Sequence, residues 1–375
     1  MTIAGKHNFS PGPSVLPTEV LLKAQAEFLN YNGSGMSVME MSHRSKSFET
    51  ILETAQKNLC SLLEIPSNYK ILFLQGGASS VFSAIYYNFG GGHKPLDYIV
   101  TGVWSDKAAK EAQLLGGNVN IVINTKESKH TGYLPPQSEW KLSGKNAGYV
   151  YYCDNETVHG VEFPYIPNVP EGVPLICDMS SNILSRRFDV NRFGAIFAGA
   201  QKNLGPAGVT LVIVREDLIN LNRTSPKVPI PAMLDFKIAA DNNSLYNTPP
   251  TYAIYVTGLV LEWLLENGGI QITEANAKNK SSKVYQIIDA SHGFYSGPVN
   301  PSFRSRMNIP FRITKNGIPD PDLESEFLKG AESRGMIQLA GHRSVGGIRA
   351  SLYNALPMES VQVLIDYMEE FVRHH

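Results

Sequence analysis

Short, nearly continuous apolar runs alternate along this chain with longer stretches in which apolar positions recur every three to four residues. Lys70–Leu74, Tyr98–Val103 and the segments NVNIVIN, AGYVYYC, VPLICD, GAIFAGA and GVTLVIV read as strands. Pro17–Asn30 reads as a helix, GGASSVFSAIYYNF as a loop followed by a helix, and DKAAKEAQLLGG as a helix with Ser105 and Asp106 as its cap. Such alternation predicts an α/β fold with a mostly parallel sheet. TYAIYVTGLVLEWLLENGG is interrupted by Thr257, Gly258 and Glu262 and is shorter than the roughly 20 apolar residues of a membrane span, so it predicts a core helix. Around Gly268 the character changes. MNIPFRI, GMIQLAG, GGIRASL and the amphipathic ESVQVLIDYMEEFVRHH predict a smaller α+β unit, and the domain boundary is placed there.

Length supports two units, since 375 residues exceed what one hydrophobic core usually serves. A 43% apolar, 18% charged composition is that of a globular protein and not of a disordered one. With 33 basic and 34 acidic residues the net charge is −1, which offers no general attraction for nucleic acid or an anionic membrane. Anion binding must therefore be local. The three cysteines have no paired spacing and no secretory leader precedes SPGPS, which predicts a cytoplasmic protein. Nine histidines without HExxH or paired cysteines give no metal site.

The most reactive candidate is Lys202, between the apolar GAIFAGA and the sharp turn NLGPAG. A strand ending there delivers the amine to the carboxyl edge of a sheet, where partial desolvation favours the nucleophilic form able to condense with an aldehyde. A snorkelling surface lysine is the commoner fate of a single Lys. Asp178 closes VPLICD and would lie on the neighbouring strand end; alone it reads as a loop acid or helix cap. Together the pair suits pyridoxal phosphate, whose ring nitrogen is held protonated by a buried carboxylate.

Five segments, NFSPGPSVLP, MSHRSKSFE, DNETVHG, AGAQKNLGPAG and GHRSVGGIRAS, keep their order from Phe9 to Ser351, and with them the chain resembles the phosphoserine aminotransferases of class V. The resemblance implies a fold-type I enzyme that uses pyridoxal 5'-phosphate. It implies a large domain over 16–268 with a mostly parallel seven-stranded sheet, and a small domain formed by 1–15 with 269–375. It also implies a homodimer with shared active sites. Gly77, Ala78 and Ser79 would hold the cofactor phosphate at a helix N-terminus, with Gln201 as a further phosphate contact. Trp104, ending the strand YIVTGVW, would stack on the ring, and Thr157 would meet the ring hydroxyl. Asn247 and Thr248 would reach the phosphate from the neighbouring subunit. Many bacterial relatives carry GGGRGQF where this chain has GGASSVF, so an arginine is replaced by Ser79 and its positive charge is absent or supplied elsewhere.

Two His-Arg pairs, His43–Arg44 and His342–Arg343, and the nearby Arg349 are the candidates for substrate binding. Each alone reads as a solvated loop residue. Arginine's planar fork suits carboxylate or phosphate. By resemblance Arg349 takes the α-carboxylate, and the other four take the distal anion of phosphoserine or glutamate. The implied reaction joins L-glutamate and 3-phosphohydroxypyruvate to 2-oxoglutarate and O-phospho-L-serine, with a four-carbon analogue of vitamin B6 synthesis, 4-phosphohydroxy-L-threonine, as a side substrate. An alanine–glyoxylate or serine–pyruvate aminotransferase is the rival the paired His-Arg motifs argue against; a catalytically silent dimer is the rival Lys202 and Asp178 argue against. No GxxxxGK[ST] supports a nucleotide hydrolase.

Overall fold

A computed structural model describes residues 5–90, 92–125, 132–219 and 229–375. Its centre is a seven-stranded sheet made of β1 (Tyr69–Leu74), β2 (Leu96–Val100), β3 (Val119–Asn124), β4 (Tyr149–Cys153), β5 (Leu175–Asp178), β6 (Ala195–Gly199) and β7 (Thr210–Arg215). The spatial order is β1-β7-β6-β5-β4-β2-β3. Only β7 runs against its neighbours β1 and β6; all other adjacent strands are parallel. Every residue of β2, β4, β5 and β6 is buried, which is why they read in the sequence as apolar runs, interrupted only by Asp97 in β2 and closed by Asp178 in β5.

Alternate side chains of these strands feed two cores. Val150, Tyr152 and Cys177 pack against α2 (Lys46–Leu63) and α6 (Thr251–Glu266), whereas Tyr149, Tyr151 and Ile176 pack against α3 (Gly77–Phe89) and α4 (Val103–Leu114). Cys153 is level with Asp178, and Asp178 with Phe197. The carboxyl ends of β4, β5 and β6 therefore share one edge, the place where open α/β sheets bind ligands. The apolar α6 lies in the first core, and among the described residues no helix is long and apolar enough to cross a membrane.

A third core draws on Phe9 and on residues from Val284 to Phe371. Around it stand α7 (Gly269–Ala290), α8 (Pro321–Ser333), α9 (Met358–His374) and a four-stranded antiparallel sheet whose long member is Asn308–Lys315. The N-terminal strand His7–Asn8 pairs with Met336–Ile337, bringing the start of the chain into this unit.

Several local expectations need correction. The first helix, α1, covers Thr18–Ala26 and stops short of Asn30, because the chain turns through Asn32 and Gly33, both at positive φ. The strand at Tyr98 spans Leu96–Val100, and the next helix starts at Val103 with Gly102 as N-cap, one turn before Asp106. Ser105 lies inside that first turn, where its Oγ accepts from the Thr101 and Gly102 amides at 3.0 and 3.2 Å. Helices α2, α7 and α8 have no counterpart among the elements the pattern predicts.

Candidate active site

Past β6 the chain folds into a tight turn in which the Leu204 and Gly205 amides both donate to Ala200 O, at 3.3 and 2.7 Å. Lys202 rides on this turn, half-buried. The SPGPS segment clamps it from outside: the Ser14 amide donates to Gln201 O at 2.9 Å and the Ser14 hydroxyl to Lys202 O. Gly12, at φ +139°, lies so close that a Cβ there would come within 3.1 Å of Lys202 Cγ. The backbone and stem are thus fixed while Nζ makes no hydrogen bond or ion pair among the described residues and stands 5.0 Å from the centroid of the Trp104 ring.

Asp178 ends β5 at 4% exposure. Its Oδ1 accepts from the Ser180 amide at 2.8 Å and the Ser180 hydroxyl at 2.6 Å, and the same hydroxyl accepts from Gly199 N at 3.0 Å. Ser180 thereby ties the acid to the end of β6. Oδ2 keeps no hydrogen-bond partner among the described residues. Burial pushes the Asp178 carboxyl up, against the opposing pull of the Lys202 charge and the Ser180 bonds. A buried acid with one free oxygen, facing a cation, fits a protonated ring nitrogen.

Trp104 is in the first turn of α4 and not at the end of a strand, because Gly102 ends the extended run. What starts the helix there is Glu156, fully buried, which accepts from Trp104 N at 3.0 Å, Ser105 N at 2.8 Å and Ser105 Oγ at 2.6 Å. A Cβ on Gly102 would strike this carboxylate at 2.5 Å. Thr157 follows, and its Oγ1 accepts from Trp104 Nε1 at 2.9 Å, setting the indole plane. Glu156 was not singled out from sequence: its partners lie some fifty positions away, and an acid between Asn155 and Thr157 reads only as loop.

The segment from Asp154 to Glu162 is bonded on every side. Asp154 pairs with Arg186 at 2.6 Å and Glu162 with Arg306 at 2.7 Å; Asn182 Nδ2 bridges the two acids, and Asn155 Nδ2 reaches both Ser181 Oγ at 2.8 Å and Asn308 Oδ1 at 2.9 Å. Ser305 N donates to Gly160 O at 2.8 Å. Arg349 Nη1 donates to Thr157 O at 3.3 Å.

At the N-terminus of α3, Gly76 and Gly77 both take positive φ, 93° and 68°, and turn the amides of Gly77, Ala78 and Ser79 outward. These three have no intrahelical acceptor and form a ready anion cradle. Thr248 stands beside it, its carbonyl accepting from Gln75 Nε2 at 3.2 Å and from Asn247 Nδ2 at 3.1 Å. The Gln201 side chain folds back over Gly199, and no hydrogen bond joins it to the cradle.

Arg349 is 7% exposed on the strand Ile348–Ser351. No carboxylate pairs with it among the described residues, and its Nε is buried without an acceptor. Burial pulls its pKa down. His342 is near enough that the Arg349 and Arg343 charges, after burial, push its pKa down too. The loop carrying His342 and Arg343 is closed by Gly341, where any Cβ would meet Gly346 O at 2.0 Å. Contacts and charges thus link His342, Arg349, Thr157, Trp104, Lys202 and Asp178 in one series, and Arg343 follows His342 as an exposed residue of the same loop. His43 and Arg44, just before α2, make no hydrogen bond or ion pair to any of these seven.

A lysine with a free amine, a buried acid and an anion cradle at the carboxyl edge of a parallel sheet form the layout of a cofactor-dependent transferase. The family description Aminotransferase class-V fits residues 6–364. The chain is a class-V aminotransferase. A phosphoserine aminotransferase of Drosophila melanogaster is 53% identical, the match covering 98% of this chain and 99% of that protein. The phosphoserine aminotransferase structure from Bacillus circulans subsp. alkalophilus superposes with a TM-score of 0.92 at 47% identity, over 98% and 99% of the two chains. A pyridoxal phosphate-bound phosphoserine aminotransferase from Trichomonas vaginalis gives 0.91 at 44%, over 97% and 99%. The class-V aminotransferase fold, with its seven-stranded, mostly parallel sheet, matches the sequence expectation.

Proposed function

We propose that this aminotransferase uses pyridoxal 5'-phosphate to transfer the amino group of L-glutamate to 3-phosphohydroxypyruvate, giving 2-oxoglutarate and O-phospho-L-serine for serine biosynthesis. The observation that carries the reading is Arg349, a buried guanidinium with no anion of its own. An uncompensated buried charge is costly unless a ligand neutralises it, and the α-carboxylate common to all four reactants does so. His342 and Arg343 beside it take the second anion. Phosphoserine aminotransferase is also what the relatives above are called.

Bound pyridoxal phosphate supplies an aldehyde for amine exchange and a ring that accepts the electrons of the α-carbon. Gly77, Ala78 and Ser79 would hold its phosphate, with Gln201 as a further contact, and Trp104 would lie against its ring. Thr157 would serve the ring hydroxyl and Asp178 the ring nitrogen. Lys202 Nζ would hold the cofactor at rest and, once released, would move the α-proton as general base and acid.

His43, Arg44, Asn247 and Thr248 act across a homodimer interface. What supports this is that, among the described residues, none of the four bonds to Arg349, Lys202 or Asp178, and that Phe28, Leu29, Met36, Met39, Met233 and Tyr246 are exposed on the segments around them. Residues 16–268 form the large domain, and 1–15 with 269–375 the small one, the division suggested by the third core. The protein works in the cytoplasm, and 4-phosphohydroxy-L-threonine is a secondary substrate of the same pocket.

The test is a half-reaction on the purified holoenzyme. L-Glutamate and O-phospho-L-serine should each bleach the visible cofactor band, and L-alanine should not. Bleaching by alanine alone would replace this reading with an alanine–glyoxylate type enzyme. Arg349→Met should lower kcat/KM for both acidic substrates about 10- to 100-fold, the loss of a bidentate charge-assisted contact worth ~1.5–3 kcal/mol. Because the free protein also sheds an unpaired buried charge, its melting temperature should not fall.

A further inference from the structure

The cradle at the start of α3 contains amides and a hydroxyl but no cation of its own, and a doubly charged phosphate there would need one. One turn into α4, Lys107 fills that position. Its Nζ donates to Ser79 Oγ at 3.1 Å and lies 5.8 Å from the Trp104 ring centroid. Lys107 and Trp104 are three residues apart and share a helix face, so the helix that presents the indole also carries the ammonium to the mouth of the cradle. Among the described residues no carboxylate pairs with Lys107. The nearest acid on its own face, Glu111, one turn on, is engaged by Ser83 Oγ at 2.6 Å.

We infer that Lys107 is a cofactor-binding residue, supplying the positive charge that the Gly77–Ser79 turn lacks and contacting the phosphate group of pyridoxal phosphate together with Ser79. The inference rests on the placement of that phosphate at the α3 N-terminus. The same residue has a mechanical side: Ser79–Lys107 and Ser83–Glu111 are successive rungs between α3 and α4. Binding and mechanical roles separate by ligand, since only the first discriminates between cofactors with and without phosphate.

The experiment is equilibrium binding to the full-length protein, converted to its amino form with glutamate, dialysed free of cofactor and followed by quenching of tryptophan fluorescence. Lys107→Met should weaken pyridoxal phosphate binding about tenfold, as expected for one charge-assisted hydrogen bond, and leave pyridoxal binding unchanged. Lys107→Arg should restore most of the loss. Equal weakening for both ligands would reduce Lys107 to a helix rung, and an unchanged pyridoxal phosphate affinity would also overturn the inference. Ser79→Asp separates the underlying reading: it places a carboxylate in the cradle and should expel the phosphorylated ligand. If Ser79→Asp weakens pyridoxal phosphate while Lys107→Met does not, the cradle stands and the lysine assignment falls; if Ser79→Asp has no effect, the phosphate is not held at this turn and both fall.

Discussion

Lys202→Ala should leave a folded protein that still takes up pyridoxal phosphate and turns over glutamate at least about a thousandfold more slowly, within the range contributed by a positioned proton-transfer group. The fold should survive because the Lys202 side chain makes no hydrogen bond or ion pair among the described residues, while the turn is held through the backbone by Ser14 and Ala200. Borohydride reduction followed by mass spectrometry checks the assignment independently of rate: the wild type should gain the mass of the reduced cofactor at Lys202, and the variant should gain none. A variant that retained covalent cofactor would move the nucleophile elsewhere.

Asp178→Asn should cost about a hundredfold or more in kcat, since removing one partner of a buried ion pair is worth ~3–5 kcal/mol. Stability of the cofactor-free protein should move the other way. Burial holds the Asp178 carboxyl above its ordinary range, so the folded state retains a proton that the unfolded chain releases near pH 4. The stability this proton provides is complete below the unfolded pKa and is lost as pH rises through the folded one. Asparagine does not titrate. The cofactor-free variant should therefore equal or exceed the wild type in melting temperature at neutral pH, with the gap closing toward pH 4. The opposite trend would mean that Asp178 is stabilised as an anion by the protein alone.

The parallel strands were legible because burial on both faces forces YVYYC, LIC and AIFAG to be apolar throughout, and the class of fold follows from their alternation with helices. Lys202 and Asp178 were legible because each closes such a run. The start of α4 was not: locally Ser105 and Asp106 look like a cap, but the helix begins where Glu156, distant in sequence, satisfies the amides of Trp104 and Ser105. Lys107 was missed for a related reason. It reads as one more charge on a solvated helix face, and only the packing of α4 on α3 places it at Ser79. The aromatic at 104 was assigned to the wrong element, because strand and helix meet within the four residues from Thr101 to Trp104.

The segment from Asp154 to Glu162 has a mechanical meaning. It is fastened to the large sheet through the Asp154 amide on Asp178 O, to the turn after β5 through Asp154–Arg186, and to the start of the long C-terminal strand through Glu162–Arg306, Asn155–Asn308 and Gly160–Ser305. At its middle, Thr157 touches the indole on one side and the Arg349 guanidinium on the other. A hinge at this point would have to tear a buried ion pair, so the Arg349 guanidinium and the Trp104 indole are carried on a single rigid bracket. The guanidinium and the indole are thus set relative to one another by a single residue, the Thr157 carbonyl on one side and its hydroxyl on the other, so anything that displaced Thr157 would misplace both at once.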